Sequence, residues 1–334
     1  MSSYSRAENR SLPRSGEQRT LGRTGLQVSP IGLGLAALGR PGYINLGHGE
    51  DLHGETDVAE MERNAHRVLD AAFAGSVRYF DAARSYGKAE AFLASWLEGR
   101  GLRPGDVTVG SKWGYTYTAG WRVDADPPEV KDLSAATLRR QVVESRALLG
   151  EHLHVYQIHS ATLESGVLED RTVLDELERL RSEGLAVGFS VTGPEQAQTI
   201  RRALEVGSFD TVQATWNLFE RSAGPALAEA HDAGVGVIVK EALANGRLTA
   251  RGGDSPLAQV SAERGISPDA LALAAAIAQP WADVVLSGAT TVEQLRSNLA
   301  APDVEWDEEL DRRLAPLVEE PGQYWSRRSA LPWN

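Results

Sequence analysis

The chain has 334 residues, of which 42% are hydrophobic and 24% are charged, and its formal net charge is −12. This composition suits a folded protein with a sizeable core, and its acidity argues against nucleic acid or an anionic membrane as the main partner. The absence of cysteine excludes disulfides, thiolate metal sites and cysteine nucleophiles.

Residues 1–20 are polar and are expected to form a disordered extension. They lack the apolar core of an export signal, and the longest apolar run, at 270–278, is too short to span a bilayer. We therefore expect a soluble, cytoplasmic protein with no membrane partner. The segment "RTLGRTGLQVSP" then predicts a hairpin around Thr24 and Gly25 that closes the lower end of the fold that follows.

Eight short apolar runs follow in chain order, and helical patterns separate them. The runs span 28–34, 77–83, 107–112, 153–160, 186–191, 211–216, 236–240 and 284–289. Most are continuous rather than alternating, as is typical of parallel strands covered on both faces. The helical pattern before residue 150, for example, begins with the N-cap residue Ser134 and ends at Gly150.

This alternation predicts an α/β fold, a (β/α)8 TIM barrel over residues 21–320, with a doubly wound sheet as the alternative. Long loops at 35–56 and 114–133 are expected at the C-terminal face of the barrel. The tail, 321–334, is expected near the substrate mouth. The motif "GLGLAA" (32–37) matches a dinucleotide fingerprint, but Gly- and Pro-rich sequence follows it where a helix is needed, which favours a close backbone approach instead.

Four ionisable residues fall where barrel enzymes place their chemistry, at the C-terminal ends of strands. Asp81, Lys112 and His159 end the second, third and fourth strands, and Tyr86 lies in the loop after Asp81. Tyrosine is a weak acid, and a neighbouring ammonium lowers its pKa. We therefore predict Tyr86 as a general acid, Lys112 as its tuner, Asp81 as the partner of Lys112, and His159 as the group that orients a carbonyl.

An ordered set of motifs contains these four residues: "LGRTGLQVSPIGLG", "YFDAARSYG", "GSKWG", "QIHS", "GFS", "VQATWN" and "SGATTVEQLRSN". Over residues 21 to 300 the chain resembles an aldo-keto reductase, and it is closer to the branch that includes the potassium-channel β subunits. The resemblance implies a (β/α)8 barrel, an extended NAD(P)H across its C-terminal rim, and reversible carbonyl reduction.

The resemblance also implies a set of residues that contact the cofactor. These are Ser190 and Gln213 at the carboxamide, Leu243, Gly246 and Arg247 at the pyrophosphate, and Gly288, Thr290, Gln294 and Asn298 at the adenosine phosphate. Independently of the resemblance, residues 290–293 look like a capping box, and helix N-termini bind phosphate. NADPH is favoured over NADH because the channel β subunits have Gln and Asn at the last site and take NADPH.

Two positions depart from the pattern of the family. Val191 stands where an Asn usually contacts the carboxamide, and Lys240 stands where an aromatic residue usually stacks on the nicotinamide. We favour an ion pair between Lys240 and Glu241, with contact to the cofactor or to a substrate anion as the alternative. Lys240 is therefore kept among the candidate cofactor residues.

Aromatic residues cluster in two segments expected around the substrate mouth. Trp113, Tyr115 and Trp121 follow the third strand, and Trp325 lies in the tail, so that they predict an apolar substrate pocket, with packing of the loops as the alternative. No metal is expected, since "GHGEDLHG" (47–54) offers two histidines without a spaced third ligand.

The leading hypothesis is an NAD(P)H-dependent oxidoreductase that reduces a small aldehyde or ketone. The first alternative is an NAD(P)+-dependent sugar or alcohol dehydrogenase that uses the same site. The second is a cofactor-sensing regulatory subunit with slow turnover. The sequence indicates no oligomeric state.

Overall fold

The computed structural model describes residues 17–334. Most of the predicted extension, residues 1–16, lies outside this range. Its predicted end at residue 20 is wrong, because Arg19–Thr20 already form the first strand, held by backbone pairing with Gln27–Val28.

Twelve strands and twelve α-helices follow one another in the described part of the chain. The strands are β1 (Arg19–Thr20), β2 (Gln27–Val28), β3 (Ile31–Gly34), β4 (Tyr79–Asp81), β5 (Thr108–Trp113), β6 (Tyr115–Tyr117), β7 (Glu129–Lys131), β8 (Leu153–Ala161), β9 (Ala186–Val191), β10 (Thr211–Thr215), β11 (Gly236–Lys240) and β12 (Val284–Ser287). The helices are α1 (His48–Asp51), α2 (Val58–Ala74), α3 (Ala89–Arg100), α4 (Ala135–Leu149), α5 (Arg171–Ser182), α6 (Gln196–Val206), α7 (Gly224–Asp232), α8 (Pro256–Arg264), α9 (Pro268–Ile277), α10 (Val292–Asn298), α11 (Glu308–Leu314) and α12 (Pro321–Ser329).

The eight predicted runs each coincide, within a few residues, with one strand of a closed parallel barrel, in the order β10-β11-β12-β3-β4-β5-β8-β9. Closure depends on β12, which pairs with β3 through Val285 and Ile31. The TIM barrel is confirmed, and the doubly wound alternative is wrong because an open sheet would leave these two strands unpaired. No helix begins between β3 and His48, so "GLGLAA" is not a dinucleotide turn.

Glycines make room for a tyrosine inside the barrel. A Cβ atom added to Gly32 would lie 3.0 Å from the Tyr79 ring, and one added to Gly110 would lie 2.5 Å from the Tyr79 hydroxyl. Tyr79 is fully buried, and its hydroxyl donates to Asp81 at 3.4 Å. The small residues on neighbouring strands therefore let an aromatic side chain support the carboxylate above it.

The hairpin of β1 and β2 closes the N-terminal end of the barrel, as predicted. Its residues Leu21 and Val28 are fully buried in a cluster with Tyr79, Val155 and Ile238 from the barrel interior. This second core is separate from the larger one between the strands and the surrounding helices.

The helices begin and end at the signals that the sequence carries. Asp57 caps α2 by accepting from two backbone amides, and Ser134 caps α4 by accepting from the amide of Thr137. Helices α2 and α4 each bury one apolar face and expose a polar face. None of the helices in the described range is long and apolar enough to cross a membrane.

Candidate active site

A cleft of about 580 Å³ lies at the C-terminal ends of the barrel strands. The predicted site residues that line it are Asp81, Tyr86, Tyr115, His159, Gln213, Lys240, Leu243, Gly246, Gly288, Thr290, Gln294 and Asn298. Lys112 and Ser190 are fully buried directly behind its wall. The cleft therefore runs from the predicted catalytic residues to the start of α10.

The four predicted catalytic residues are in mutual contact. Lys112 forms a buried ion pair with Asp81 and donates to the Tyr86 hydroxyl at 3.3 Å. The rings of Tyr86 and His159 meet edge to face, with their centroids 5.5 Å apart. Asp81 also accepts from the amide of Gln213 at 2.9 Å. The structure thus brings together a hydroxyl, an ammonium, a carboxylate and an imidazole at one end of the cleft.

The alternation of side chains along β5 explains why Lys112 points into the barrel. Successive residues of a strand face opposite sides, and Gly110, two residues earlier, faces the interior tyrosine. Lys112 therefore points inward, where Asp81 and the carbonyl of Ala82 accept from its ammonium. Trp113 must then point outward.

The pKa of Tyr86 differs from the sequence-based prediction. Burial, followed by the charge of Asp81, raises the pKa of Tyr86 well above its ordinary value, whereas we expected Lys112 to lower it. The reason is that the negative charge of Asp81 balances the positive charge of Lys112 in their ion pair. Desolvation therefore remains the dominant effect on the pKa of Tyr86. Tyr86 is consequently a protonated hydroxyl that can donate.

His159 is held as a neutral imidazole. Burial, and then the positive charges of Lys112, Lys240, Arg40 and Lys131, lower its pKa well below the ordinary value. Its Nδ1 lies 3.5 Å from the hydroxyl of Ser85. A neutral ring can donate one hydrogen bond to a carbonyl without itself competing as the acid.

The loop after β11 and the loop after β3 meet across the cleft. The amide of Leu46 donates to the carbonyl of Asn245 at 3.0 Å, and Arg251 donates to the carbonyl of Leu46 and pairs with Asp51. We call residues 43–51 the strap. The Oδ1 atom of Asn245 is buried at this point without a hydrogen-bond partner among the described residues.

Two predicted cofactor contacts are already engaged within the protein. Arg247 forms an ion pair with Glu319 and does not line the cleft, so its charge is committed elsewhere. The hydroxyl of Ser190 accepts from the amide of Ser160 at 2.8 Å. Leu243 and Gly246 line the cleft as predicted.

The capping box at the start of α10 is displaced by one residue from its predicted position. Thr291 caps the helix, and the side chain of Gln294 accepts from the amides of Thr290 and Thr291. The extended backbone of Thr291 makes it the cap, so that the third residue after it, Gln294, reaches back rather than Glu293. In the orientation that satisfies both of its amide atoms, Asn298 donates to Asp269 at 2.7 Å.

The favoured ion pair between Lys240 and Glu241 is present, with Lys240 Nζ 3.8 Å from the carboxylate. The ammonium also donates a hydrogen bond to the hydroxyl of Thr215 at 2.9 Å. Both carboxylate oxygens of Glu241 accept from Arg328 of α12. Arg328 lies 87 residues further along the chain, so the sequence around Glu241 could not indicate that Arg328 is its partner.

Of the four aromatic residues predicted for the substrate pocket, only Tyr115 lines the cleft, with its ring 4.9 Å from that of His159. Trp113 is fully buried in the outer core because it faces away from Lys112. Trp121 donates to the carbonyl of Thr56 and packs on Phe92. Trp325 is buried in the tail, with Lys240 Nζ 5.8 Å from its ring. None of these three lines the cleft, so their role is packing: Trp113 on β5, Trp121 in the loop after it and Trp325 on α12.

The structure adds residues that the sequence did not single out. Arg40 is buried at the cleft, where its guanidinium pairs with Glu129 and lies over the rings of Tyr43, Tyr86 and Trp333. The one feature of the sequence that could have indicated Arg40 is that it is the single arginine in the long loop after β3. No group of three or more His, Asp or Glu residues between 17 and 334 is placed to hold a metal ion.

Comparison with known sequences agrees with this geometry. The profile described as the Aldo/keto reductase family matches residues 30–315. The chain belongs to the aldo/keto reductase family. It is an oxidoreductase by that membership, whereas its place near the potassium-channel β subunits stays a prediction.

Relatives and solved structures cover nearly the whole chain. The uncharacterized oxidoreductase YrpG of Bacillus subtilis is 26% identical over 92% of this chain and 97% of its own. L-galactose dehydrogenase of Arabidopsis thaliana is 26% identical over 85% and 88%. A putative aldo-keto reductase from Pseudomonas aeruginosa superposes with a TM-score of 0.62 at 28% identity, covering 86% of this chain and 94% of that one. Aldo-keto reductase AKR11C1 from Bacillus halodurans superposes with 0.70 at 22% identity, covering 91% and 97%, which shows the fold.

Proposed function

We propose that this aldo-keto reductase uses NAD(P)H to reduce an aldehyde or ketone, with Tyr86 as the general acid. The observation that carries the proposal is the partly buried contact of Tyr86 with Lys112 at one end of the cleft, 3.3 Å between Oη and Nζ. A bound nicotinamide would supply the hydride. The protein's own residues bind the carbonyl, hold it and deliver the proton.

The proton moves from Tyr86 Oη to the carbonyl oxygen as that oxygen gains negative charge. The ammonium of Lys112 stabilises the phenolate that Tyr86 leaves behind, and Asp81 fixes the position of Lys112. His159 donates a hydrogen bond to the carbonyl oxygen from its neutral ring. The raised pKa of Tyr86 keeps its proton in place until the developing oxyanion draws it away.

The cleft suits an extended dinucleotide. It continues from Tyr86 past the loop after β11 to Gly288, where a side chain would meet no atom within 4 Å. The buried, unpartnered Oδ1 of Asn245 offers an acceptor midway. Gln213, Leu243, Gly246, Thr290, Gln294 and Asn298 would hold the cofactor along this path.

NADPH remains our expected cofactor through the resemblance to the channel β subunits. At the adenosine end of the cleft, Gly288, Gln294 and Asp269 are neutral or acidic, so none of these three could form an ion pair with a 2′-phosphate. Both nucleotides therefore belong in the binding test.

The reverse reaction is the second candidate. Its support is the similarity to L-galactose dehydrogenase of Arabidopsis thaliana and, over 59% of the chain at 28% identity, to pyridoxal 4-dehydrogenase of Microbacterium luteolum. The same four residues serve both directions, since the phenolate that Tyr86 leaves behind in the reduction, next to Lys112, is the group that accepts the alcohol proton in the oxidation. A regulatory subunit with slow turnover would bind the nucleotide equally well but would not need His159.

The test replaces the hydroxyl of Tyr86 by hydrogen. Tyr86→Phe should bind NADPH or NADH within about twofold of the wild type, followed by tryptophan fluorescence, and should lose turnover of carbonyl substrates by roughly 10²- to 10⁴-fold, the usual contribution of a general acid. Tyr117→Phe is the matched control, because Tyr117 lies on β6 outside the cleft lining. Wild-type turnover by Tyr86→Phe would refute the assignment, and failure of both nucleotides to bind would refute the reductase.

A further inference from the structure

Lys240 is a buried cation that faces the cleft. Its side chain is 16% exposed and ends β11, beside the predicted catalytic residues. The hydroxyl of Thr215 accepts its hydrogen bond at 2.9 Å, and no carboxylate lies within hydrogen-bond distance. Buried charges in proteins are normally paired and hydrogen-bonded, whereas this ammonium has one neutral hydroxyl as its hydrogen-bond partner and a carboxylate only at 3.8 Å.

The nearest carboxylate, Glu241, is occupied by another cation. Arg328 Nε donates to its two oxygens at 3.0 and 2.9 Å. Burial alone would raise the pKa of Glu241, but the charges of Arg328 and then Lys240 lower it to about 2. The backbone of Glu241 has a φ of +54°, and its carbonyl accepts from Asn217. Glu241 is thus fixed toward Arg328.

The other charged residues in the lining cancel in pairs. Asp81 is paired with Lys112, Glu129 with Arg40, and Asp51 with Arg251, as Glu241 is with Arg328. Glu241 is shared between Arg328 and Lys240, so that among the described residues of the lining one positive charge remains at the catalytic end, and Asp269 remains at the adenosine end. A positive charge therefore remains next to the reacting carbonyl in a chain whose net charge is −12.

We propose that the substrate carries a carboxylate or a phosphate and that Lys240 binds this anionic group. The proposal rests on the proposed reductase function for the position of the carbonyl. An anion bound by Lys240 would give the ammonium a hydrogen-bonded counter-ion, which Glu241 at 3.8 Å does not provide, and the contact would be strengthened because the ammonium is only 16% exposed.

Matched pairs of substrates test the proposal. Succinic semialdehyde and butanal differ by a carboxylate, and glyceraldehyde 3-phosphate and glyceraldehyde differ by a phosphate. The wild type should prefer the charged member of at least one pair by tenfold or more in kcat/KM, and the pair that shows it identifies the anion. Lys240→Met should reduce that preference at least tenfold, mainly through KM, and Lys240→Arg should retain most of it.

Lys88→Met is the control, since it removes the same charge from an exposed position. Its preference should equal that of the wild type, and circular dichroism should show that each variant is folded. Nucleotide affinity is measured in parallel. If Lys240→Met weakens nucleotide binding and lowers kcat/KM equally for both members of each pair, Lys240 serves the cofactor and the proposal is overturned.

A pH profile gives a second readout. Burial lowers the pKa of Lys240 to about 8, against the opposing effect of Glu241 and with the help of Arg328 and Lys112. Glu241 and Arg328 stay charged between pH 7 and 9, and His159 stays neutral. The preference for the charged substrate should therefore fall through pH 8 in the wild type, and it should be flat in Lys240→Met.

Direct binding separates this proposal from the reductase function. Succinate or inorganic phosphate should quench the fluorescence of the wild type, because Trp325 lies 5.8 Å from Lys240 Nζ, and the quenching should be lost in Lys240→Met. This result would support the anion site even if no carbonyl were turned over. No binding of either anion, together with equal use of both members of each pair, would overturn the proposal and leave the reductase intact.

Discussion

Burial decides the protonation state of several side chains at the cleft. His48 begins the short helix α1 of the strap, is fully buried, and contacts the ring of Tyr43 edge to face. Burial lowers its pKa from 6.5 to about 4; the backbone of Arg40 and then the charge of Asp51 oppose this shift, and the charges of Arg40 and Arg251 reinforce it. His48 is therefore neutral in the folded protein at every pH at which the enzyme is expected to work.

The depressed pKa of His48 makes the fold sensitive to acid. The unfolded chain takes up a proton near pH 6.5, whereas the folded chain does so only near pH 4, so this stability is complete above pH 6.5 and is lost as the pH falls toward 4. The loss is roughly 3 kcal/mol at most. His48→Leu should remove that part of the pH dependence of the free energy of unfolding, measured by urea denaturation between pH 7 and 4.

The exposed residue His53 provides the control for this experiment. His53→Leu should keep the wild-type dependence on pH. If His48→Leu and the wild type lost stability in parallel as the pH fell, the acid sensitivity would arise elsewhere.

Individual residues were predictable from the sequence where strand position determined them. Asp81, Lys112 and His159 lie at or near the C-terminal ends of neighbouring barrel strands, so their meeting followed from the topology. The pKa of Tyr86 was not predictable, because it depends on how completely Asp81 neutralises Lys112. The partner of Glu241 was equally hidden, since only folding brings Arg328 beside it.

The strap is the element that encloses the middle of the cleft. Arg251 holds it through two contacts, a hydrogen bond to the carbonyl of Leu46 at 2.8 Å and a two-pronged ion pair with Asp51. Asn334 adds a backbone pair with Tyr43. A dinucleotide lying in the cleft would have to pass between the strap and the loop after β11.

Loosening the strap should therefore speed the release of the nucleotide. Arg251→Met should raise the dissociation rate of NADPH or NADH about three- to tenfold, since a hydrogen-bonded ion pair at the edge of a site contributes about 1 kcal/mol. Stopped-flow fluorescence measures the rate. Arg264→Met is the control, because Arg264 pairs with Asp307 and Glu309 far from the cleft lining. Equal rates in the wild type and Arg251→Met would show that the strap does not limit release.

Elements were predicted more reliably than their ends and contacts. All eight barrel strands and the caps at Ser134 and Gly150 appear where the pattern placed them. The capping box of α10 was displaced by one residue because two threonines compete for the cap, and backbone conformation selects Thr291. The hairpin of β6 and β7 was missed, since three-residue strands in a long loop carry too little pattern.

At the scale of the whole molecule, closure was the step that local sequence could not determine. Alternating strands and helices suit both a barrel and an open sheet, and the pairing of β12 with β3 decides between them. These strands are about 250 residues apart in the sequence, so their contact was predicted from the count of eight strands and from the resemblance to a barrel family, not from any local signal. The hairpin at the opposite end from the cleft then completes the closed interior.

The closed lower end should contribute stability without contributing to the site. Gly22 has a φ of +48°, and a Cβ atom there would lie 2.3 Å from the backbone nitrogen of Gly236. Gly22→Ala should therefore lower the free energy of unfolding by about 3 kcal/mol, from a left-handed backbone and from overpacking together. Gly25→Ala is the control, because Gly25 has a φ of +77° but no atom within 4 Å, so only the backbone cost of about 1 kcal/mol remains. Urea denaturation measures both.

Nucleotide affinity at low denaturant should stay unchanged in both variants, since the cleft lies at the other end of the barrel. Equal losses of stability in the two variants would show that the hairpin does not pack tightly against β11.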